Sequence, residues 1–532
     1  MTGGRNDGRR WSAGADWRRW ALALGLFALG YGIANRFQLT HGVLYRYAAG
    51  DPSSALMAMS FMAFQAVVML AALVLLPQRW VVLLIMLAGA SILINIGYSQ
   101  IIPELVDGGS LAWMMAEVGQ IGNAAGEFGS EFLSVAGQVA AALALFVMAR
   151  ITARRSQMLP WGKGIAAALL AMLVLPSPIY RHSAAFPEAA ERSLYGLGLD
   201  LLTAPPPPPR AAPAIARDPA APAPRHIVWL VDESVAAEPF HRLIAPKLAG
   251  VPHRDFGVAA ALGHCSAPAQ VALRSGVPVL DVNKATDLRR NPAIWSYARA
   301  AGYRTRMIDA QKAGAPQNLL FAPERALIDD YRATPGGIDS DAKVAGALNR
   351  DLKKPGKTFT YVVLRGVHFQ YRDHYPRGMI PADSPVARHY DTALAWSKRD
   401  FFARLLAGID RDAVAIVYTS DHGQNLTPGA LPHCSREAHP DEFRVPLLAF
   451  LPDALAARYA AAPQGGRSVS QIFPATLIWM GYDAAEVTAR YDRDLDQPTA
   501  RYVWFGRTVI PTGAEADIDV TAGAAFPGTA GT

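Results

Sequence analysis

The residues with the most chemical promise sit in VYTSDHGQNL, Val417 to Leu426, where a run of β-favouring residues ends in Ser-Asp-His-Gly. Two other apolar runs end the same way. HIVWLV (226–231) delivers Asp232, Glu233 and Ser234, and TYVVL (360–364) delivers Arg365, Gly366, Val367 and His368. The first run itself delivers Asp421 and His422, with His433 and His439 a few residues on. Carboxylates and imidazoles gathered from separate strand ends are the donor set of a Zn²⁺ or Mn²⁺ site. A single acidic pair could be ordinary surface; three such clusters in one region point to a metal centre. A nucleophile for it is offered by LGHCSAPAQVALRSG (262–276), where small residues let the backbone approach a ligand. Ser266 or Cys265 would be activated by metal coordination there. Ser266 also reads as the N-cap of a helix, and the two readings are compatible, because a nucleophile at a helix N-terminus gains from the dipole.

These residues need a frame that collects strand ends. From Arg225 to about Pro511 short apolar runs alternate with amphipathic ones. Strands are expected at 226–231, 358–364, 413–420 and 445–452, and helices at 293–303 and 397–409. Alternation of this kind predicts a mostly parallel sheet covered on both faces, with the site at the C-terminal strand ends.

The first 180 residues have a different character. The chain has 532 residues, 51% of them hydrophobic, and the excess lies at the N-terminal end. Five apolar stretches run from Trp20 to Ile33, Leu56 to Leu76, Trp80 to Ile96, Phe132 to Met148 and Ile165 to Leu175. A bilayer core needs about 20 helical residues, a length the second and third meet and the others reach with their flanks. The first lacks a clear cleavage site and further spans follow, so it does not read as a removable signal. Arg5, Arg9, Arg10, Arg18 and Arg19 precede it, and Arg150, Arg154, Arg155 and Lys163 lie between the fourth and fifth. The segment Ser99 to Glu131 has no Lys or Arg but carries Glu104, Asp107, Glu117, Glu127 and Glu131. Basic segments stay cytoplasmic, which puts the N-terminus inside and everything after Tyr180 outside. Buried helices of a soluble core would not explain this alternation of loop charge. Much of the net charge of +7 is accounted for by the cytoplasmic loops, so it does not argue for nucleic acid. Neither a Cys-rich zinc pattern nor a Gly-rich phosphate loop is present.

The expected organisation is a transmembrane domain of five helices (1–180), a linker (181–225), a globular domain (226–512) and a loose Gly/Ala-rich tail (513–532). Within the linker, TAPPPPPRAAPAIARDPAAPAPR (203–225) reads as a stiff, extended spacer.

With these segments in place, the outer domain resembles the alkaline phosphatase/sulfatase superfamily, and the whole chain resembles a membrane phosphoethanolamine transferase of the kind that modifies lipid A. HIVWLVDESV resembles the family's first strand, ending in Gly-Glu-Ser or Gly-Glu-Thr, which implies that Glu233 is a metal ligand. YTSDHGQNL resembles its Ser-Asp-His-Gly-Glu-Ser-Leu, which implies the same for Asp421 and His422. HYDTALAWSKRDFFARLL (389–406) resembles its Tyr-Asp-Asn-Thr-Leu helix. GVHFQYRDHYP and LPHCSREAHPDEFRVP resemble the family's two His-bearing loops and imply that His368 and His433 bind phosphate. The implied fold is a five-span α-helical membrane domain followed by an α/β sulfatase-like domain. The implied reaction is transfer of phosphoethanolamine from phosphatidylethanolamine to lipid A or another envelope glycolipid, with Zn²⁺ or Mn²⁺, at the bacterial inner membrane and on its periplasmic side.

The chain departs from the pattern in several places. Ser266 stands where the family has Thr, with Cys265 as the alternative nucleophile, and Gln270 stands where sulfatases have Arg. Gln424 replaces an acidic residue, and only Gln311 or Lys312 lies near the family's substrate-contacting Lys. His374, His389 and His439 are either ordinary polar residues or substrate contacts. The chain has two cysteines, Cys265 and Cys434, each beside a candidate site residue, and a pairing across the site is expected to be within reach. The competing expectations are a phosphoglycerol transferase, a sulfatase or phosphatase-type hydrolase, and a non-catalytic membrane sensor.

Overall fold

The computed structural model describes residues 13–48, 50–101, 129–154, 164, 188–203, 206–218, 220–283, 286–311, 318–334, 337–435, 438–505 and 518–522. They form two units that divide between Pro205 and Pro206.

The first unit is helical: α1 (Ala13–Ala34), α2 (Pro52–Leu75), α3 (Gln78–Ile101), α4 (Gly129–Arg154) and α5 (Ser193–Thr203). Asp51 starts α2 by accepting the Ser54 amide at 3.0 Å, with Pro52 in the first turn, where its missing N–H costs nothing. Three helices, α2, α3 and α4, are long and apolar enough to cross a membrane. The first expected span forms as α1, but Arg18 and Arg19 and glycines such as Gly25, Gly30 and Gly32 dilute its apolar character. The fifth, Ile165 to Leu175, and the acidic loop lie outside the described residues. A Cβ on Gly30 would sit 3.0 Å from the Leu145 Cβ, so this glycine lets α1 and α4 approach closely.

In the second unit, eight strands make one sheet: β1 (His226–Asp232), β2 (Arg254–Ala260), β3 (Arg304–Asp309), β4 (Asp330–Ala333), β5 (Thr358–Val363), β6 (Val414–Ser420), β7 (Arg444–Phe450) and β8 (Arg467–Ser468). Their order is β4-β3-β5-β1-β6-β7-β2-β8. The run β4-β3-β5-β1-β6 is parallel, and β7 is antiparallel to both β6 and β2. Strands β1, β5 and β6 are buried from end to end, which explains why they read as unbroken apolar runs. Register sets the site. Asp232 pairs with Ser420 and Val231 with Val363, so the residues that follow β1, β5 and β6 emerge at one edge.

Three expectations are corrected. The helix expected over 397–409 covers only Phe401–Leu406, and Ser397 is the last residue of a preceding helix, Val386–Ser397. The break falls at Lys398, whose ammonium is buried between Asp232 and Asp341 at 2.8 and 2.7 Å, and turning that charge inward interrupts the helix. The Pro/Ala tract, expected as a stiff, extended spacer, is instead bonded to the globular unit. Arg210 reaches Glu324 at 2.5 Å and Ser275 at 2.8 Å, Arg217 donates to the Met480 carbonyl at 3.0 Å, and Tyr303 donates to the Pro224 carbonyl at 2.8 Å. Part of the tail expected to be loose, Ile518–Ala522, pairs antiparallel with Arg501–Phe505, as its β-branched residues favour.

Candidate metal and nucleophile site

The site is built where β1 and β6 stop. Glu233, Asp421 and His422 each turn a ligand atom inward, all within 4.8 Å of one another and all buried. Local backbone explains the convergence. Ser234 follows Glu233 in the left-handed region at φ 62°, a conformation that needs support from its surroundings in a non-glycine residue. That support is present: the Ser234 amide donates to Asp421 Oδ1 at 3.1 Å, and the Tyr390 hydroxyl donates to the Ser234 carbonyl at 2.9 Å. Gly366 lies over the same turn at φ 57°, and a Cβ there would fall 2.2 Å from the Glu233 carbonyl oxygen, so only glycine fits.

His422 donates from Nδ1 to the Gly423 carbonyl at 2.8 Å, which fixes the ring and turns Nε2 toward Glu233 Oε1 at 3.4 Å. Gly423 is required beside it, since a Cβ would lie 2.1 Å from the Asp441 carbonyl oxygen. The expected helix forms as Ser266–Arg274, but Cys265 takes the N-cap position and Ser266 is the first helical residue. Its hydroxyl donates to Glu233 Oε1 at 2.9 Å and lies 3.1 Å from His422 Nε2. Cys265 lies outside this geometry because it is bonded to Cys434, with Cα atoms 5.0 Å apart. The expected pairing is thus present in the structure, and the sulfur is not available as a nucleophile while it persists.

The electrostatics suit a cation. Burial, reinforced by the Glu233 carboxylate, pushes Asp421 up to about 7. Burial opposes ionisation of Glu233 too, but the hydrogen bond from His422 and the nearby His368 and His422 charges hold it below its ordinary range. Burial alone would lower His422, yet the two carboxylates outweigh it and raise the ring to about 9. Two carboxylates thus compete for one positive charge, a role a divalent cation fills better than an imidazolium. The donor set of two carboxylates, one imidazole with its second nitrogen anchored, and a hydroxyl fits zinc or manganese.

His433 stacks on His422 with ring centroids 4.6 Å apart, and His368 meets His433 edge-on at 5.1 Å. His433 is 7% exposed, and its Nδ1 is buried without a hydrogen-bond partner. Burial and the charges of His422 and His368 push that ring well below its ordinary value, so it is neutral. His368 donates from Nδ1 to the Phe369 carbonyl at 2.7 Å.

The remaining expectations divide. Gln270, in the place of the sulfatase Arg, is fully buried, 3.4 Å from Asp421 Oδ2 and 3.4 Å from the Tyr361 hydroxyl. Gln311 donates to Glu233 Oε2 at 2.7 Å and to the Leu364 carbonyl at 2.9 Å; Lys312 lies outside the described residues. Gln424 is buried with neither amide atom bonded. His374 donates to the Gly366 carbonyl at 2.9 Å, His389 bonds Tyr375, and His439 caps a short turn at Pro440–Glu442, so none of the three joins the triad.

Sequence reasoning missed the support beneath the site. Asp232, one residue from Glu233, faces away and pairs with Lys398 and with Tyr418, whose hydroxyl donates to it at 2.6 Å. Asp341 pairs with the same Lys398 and accepts the Arg365 and Gly366 amides at 2.8 and 3.2 Å, so it holds the start of the loop that carries His368. Strand alternation was the available signal, because adjacent acids at a strand end must point to opposite faces.

Residues 260–482 match the sequence model of the Sulfatase family. No curated protein matches the chain. Among solved structures, the chain is similar to the integral membrane protein lipooligosaccharide phosphoethanolamine transferase A from Neisseria meningitidis. Identity is 16% and TM-score 0.53, over 87% of this chain and 96% of that one. It is also similar to the C-terminal periplasmic domain of EptC from Escherichia coli in complex with Zn, at 16% identity and TM-score 0.48, over 60% of this chain and 97% of that one. The match to the Sulfatase family thus covers residues 260–482, in a fold that the chain shares with the Neisseria meningitidis membrane transferase.

Proposed function

We propose that the protein transfers phosphoethanolamine from phosphatidylethanolamine to an envelope glycolipid, lipid A or the lipopolysaccharide core, through an ester on Ser266. The observation that carries the reading is the Ser266 hydroxyl, 2.9 Å from Glu233 and 3.1 Å from His422 Nε2 at a helix N-terminus. Glu233, Asp421 and His422 would hold Zn²⁺ or Mn²⁺. When bound, such an ion neutralises charge on the transferred oxygens and favours ionised Ser266. Ser266 attacks phosphorus, and its proton passes through water to the leaving oxygen. The Oγ–P bond forms as the bond to the diacylglycerol oxygen breaks, and that oxygen takes up a proton. A phosphate or hydroxyl of the acceptor then attacks the Ser266 ester and restores the serine. His433 and His368 orient the phosphoryl oxygens, and the open Nδ1 of His433 gives them a partner.

The membrane unit suits lipid substrates. The proposed placement is the bacterial inner membrane, with five spans, the N-terminus cytoplasmic and the catalytic domain periplasmic. A sulfatase-type hydrolase is the second reading, favoured by the family match; buried Gln270 in place of the sulfatase Arg weighs against it. The test is diacylglycerol release from phosphatidylethanolamine in detergent. Release beyond one equivalent that depends on a lipid A acceptor, with no release in Ser266→Ala, supports transfer. Release that persists in Ser266→Ala removes the serine from its role.

A further inference from the structure

The two cysteines of the chain are bonded to each other, and each is the immediate neighbour of a residue placed in the chemistry: Cys265 precedes Ser266, and Cys434 follows His433. The bond joins positions 169 residues apart and spans the site from the nucleophile's helix to the loop after Asp421 and His422. Hydrogen bonds hold that loop as well. Asn425 donates to the Pro432 carbonyl at 2.7 Å, Cys434 donates to the His264 carbonyl at 3.0 Å, and Ser435 bonds Glu442. Residues Pro428 to Ala430 between them are exposed. His433 itself is held by ring contacts and has no partner at Nδ1. Cys434 has φ 53°, a left-handed conformation that a non-glycine residue keeps only where neighbours enforce it.

We propose that the Cys265–Cys434 disulfide is a positioning clasp. It fixes His433 against His422, so that phosphoryl transfer requires the bond while metal binding does not. The metal half is independent of it: Glu233, Asp421 and His422 are placed by the ends of β1 and β6 and by hydrogen bonds that involve neither sulfur. Both cysteines are half-buried, so a small dithiol can reach them. Reduction by dithiothreitol moves two electrons and two protons: two thiols form on the protein, and the reagent closes to its cyclic disulfide. His433 then keeps the backbone hydrogen bond from Cys434 to the His264 carbonyl and the bridge that Glu442 makes between Ser435 and His264, but loses the covalent tie to the residue before Ser266. Displacement of a reacting group by about 1 Å is enough to cost about 100-fold.

This inference rests on the transfer reading, and its test separates the two. Full-length protein in detergent is compared oxidised, reduced, reoxidised and as Cys265→Ser/Cys434→Ser, with thiol mapping and metal content measured on each. The expected result is unchanged metal stoichiometry, turnover of phosphatidylethanolamine lowered at least about tenfold with KM little changed, and recovery on reoxidation. The double variant should be slow from the start and indifferent to dithiothreitol. Hydrogen exchange in residues 424–435 should rise on reduction while the peptide covering β6 is unchanged. Fully reduced, metal-loaded protein with turnover within twofold of the oxidised form would overturn the clasp. If oxidised protein releases no diacylglycerol at all, the donor assignment fails, and exchange alone judges the clasp: unchanged exchange in 424–435 overturns it.

Discussion

The two halves of the site are held in different ways. Glu233, Asp421 and His422 stand on strand ends locked by register, and each accepts or donates hydrogen bonds that leave little freedom. His368 and His433 stand on loops, are placed largely by ring-on-ring contacts, and leave His433 Nδ1 buried and unbonded. A buried group without a partner costs about 1–3 kcal/mol, a cost that makes sense where a ligand supplies the missing bond. One half is finished by the fold; the other is left to be finished by substrate.

The comparison can be broken at its rigid half first. Glu233→Ala and Asp421→Ala should lose the metal and lower transfer by on the order of 10³-fold or more, read by elemental analysis and diacylglycerol release. The support beneath gives the next effect. Lys398→Met leaves Asp232 and Asp341 buried without their cation, and should cost about 3–5 kcal/mol in denaturant unfolding. In the open half, His433→Ala should keep the metal and the unfolding midpoint yet lower turnover by about 100-fold, because its unpaired ring stabilises substrate rather than the fold. A large loss of stability in that variant would erase the distinction between the halves.

The smallest effect is a pH dependence beside the His368 loop. Burial, with the Arg365 and His368 charges, pushes His374 down to about 3. The unfolded ring binds a proton below about 6.5 while the folded one does not. Stability should therefore fall as pH drops from 6.5, by at most about 1.4 kcal/mol per pH unit, and His374 should contribute no slope above it. His374→Asn should flatten that slope in melts between pH 7.5 and 5, and an unaltered slope would remove His374 as its source.

What the sequence made legible follows the same division. Strands β1, β5 and β6 and the triad were readable because unbroken apolar runs ended in acid and imidazole. Ser266 was readable as a helix start. The break at Lys398 was not, because a helical pattern runs through it and only a tertiary ion pair ends it. Nor was the docking of the Pro/Ala tract: composition predicts stiffness, while Arg210 and Arg217 find their partners through the fold. Asp232 and Glu233 look alike in sequence, and only the pleat assigns one to the framework and one to the cluster with Asp421 and His422.

The central claim is that Ser266 carries the transferred group. Metal-loaded protein incubated with phosphatidylethanolamine, without acceptor, should yield a phosphoethanolamine adduct on Ser266 in peptide mass spectrometry. Ser266→Ala should carry none. Metal-loaded wild-type protein that releases diacylglycerol with Ser266 unmodified at every time point would contradict the account.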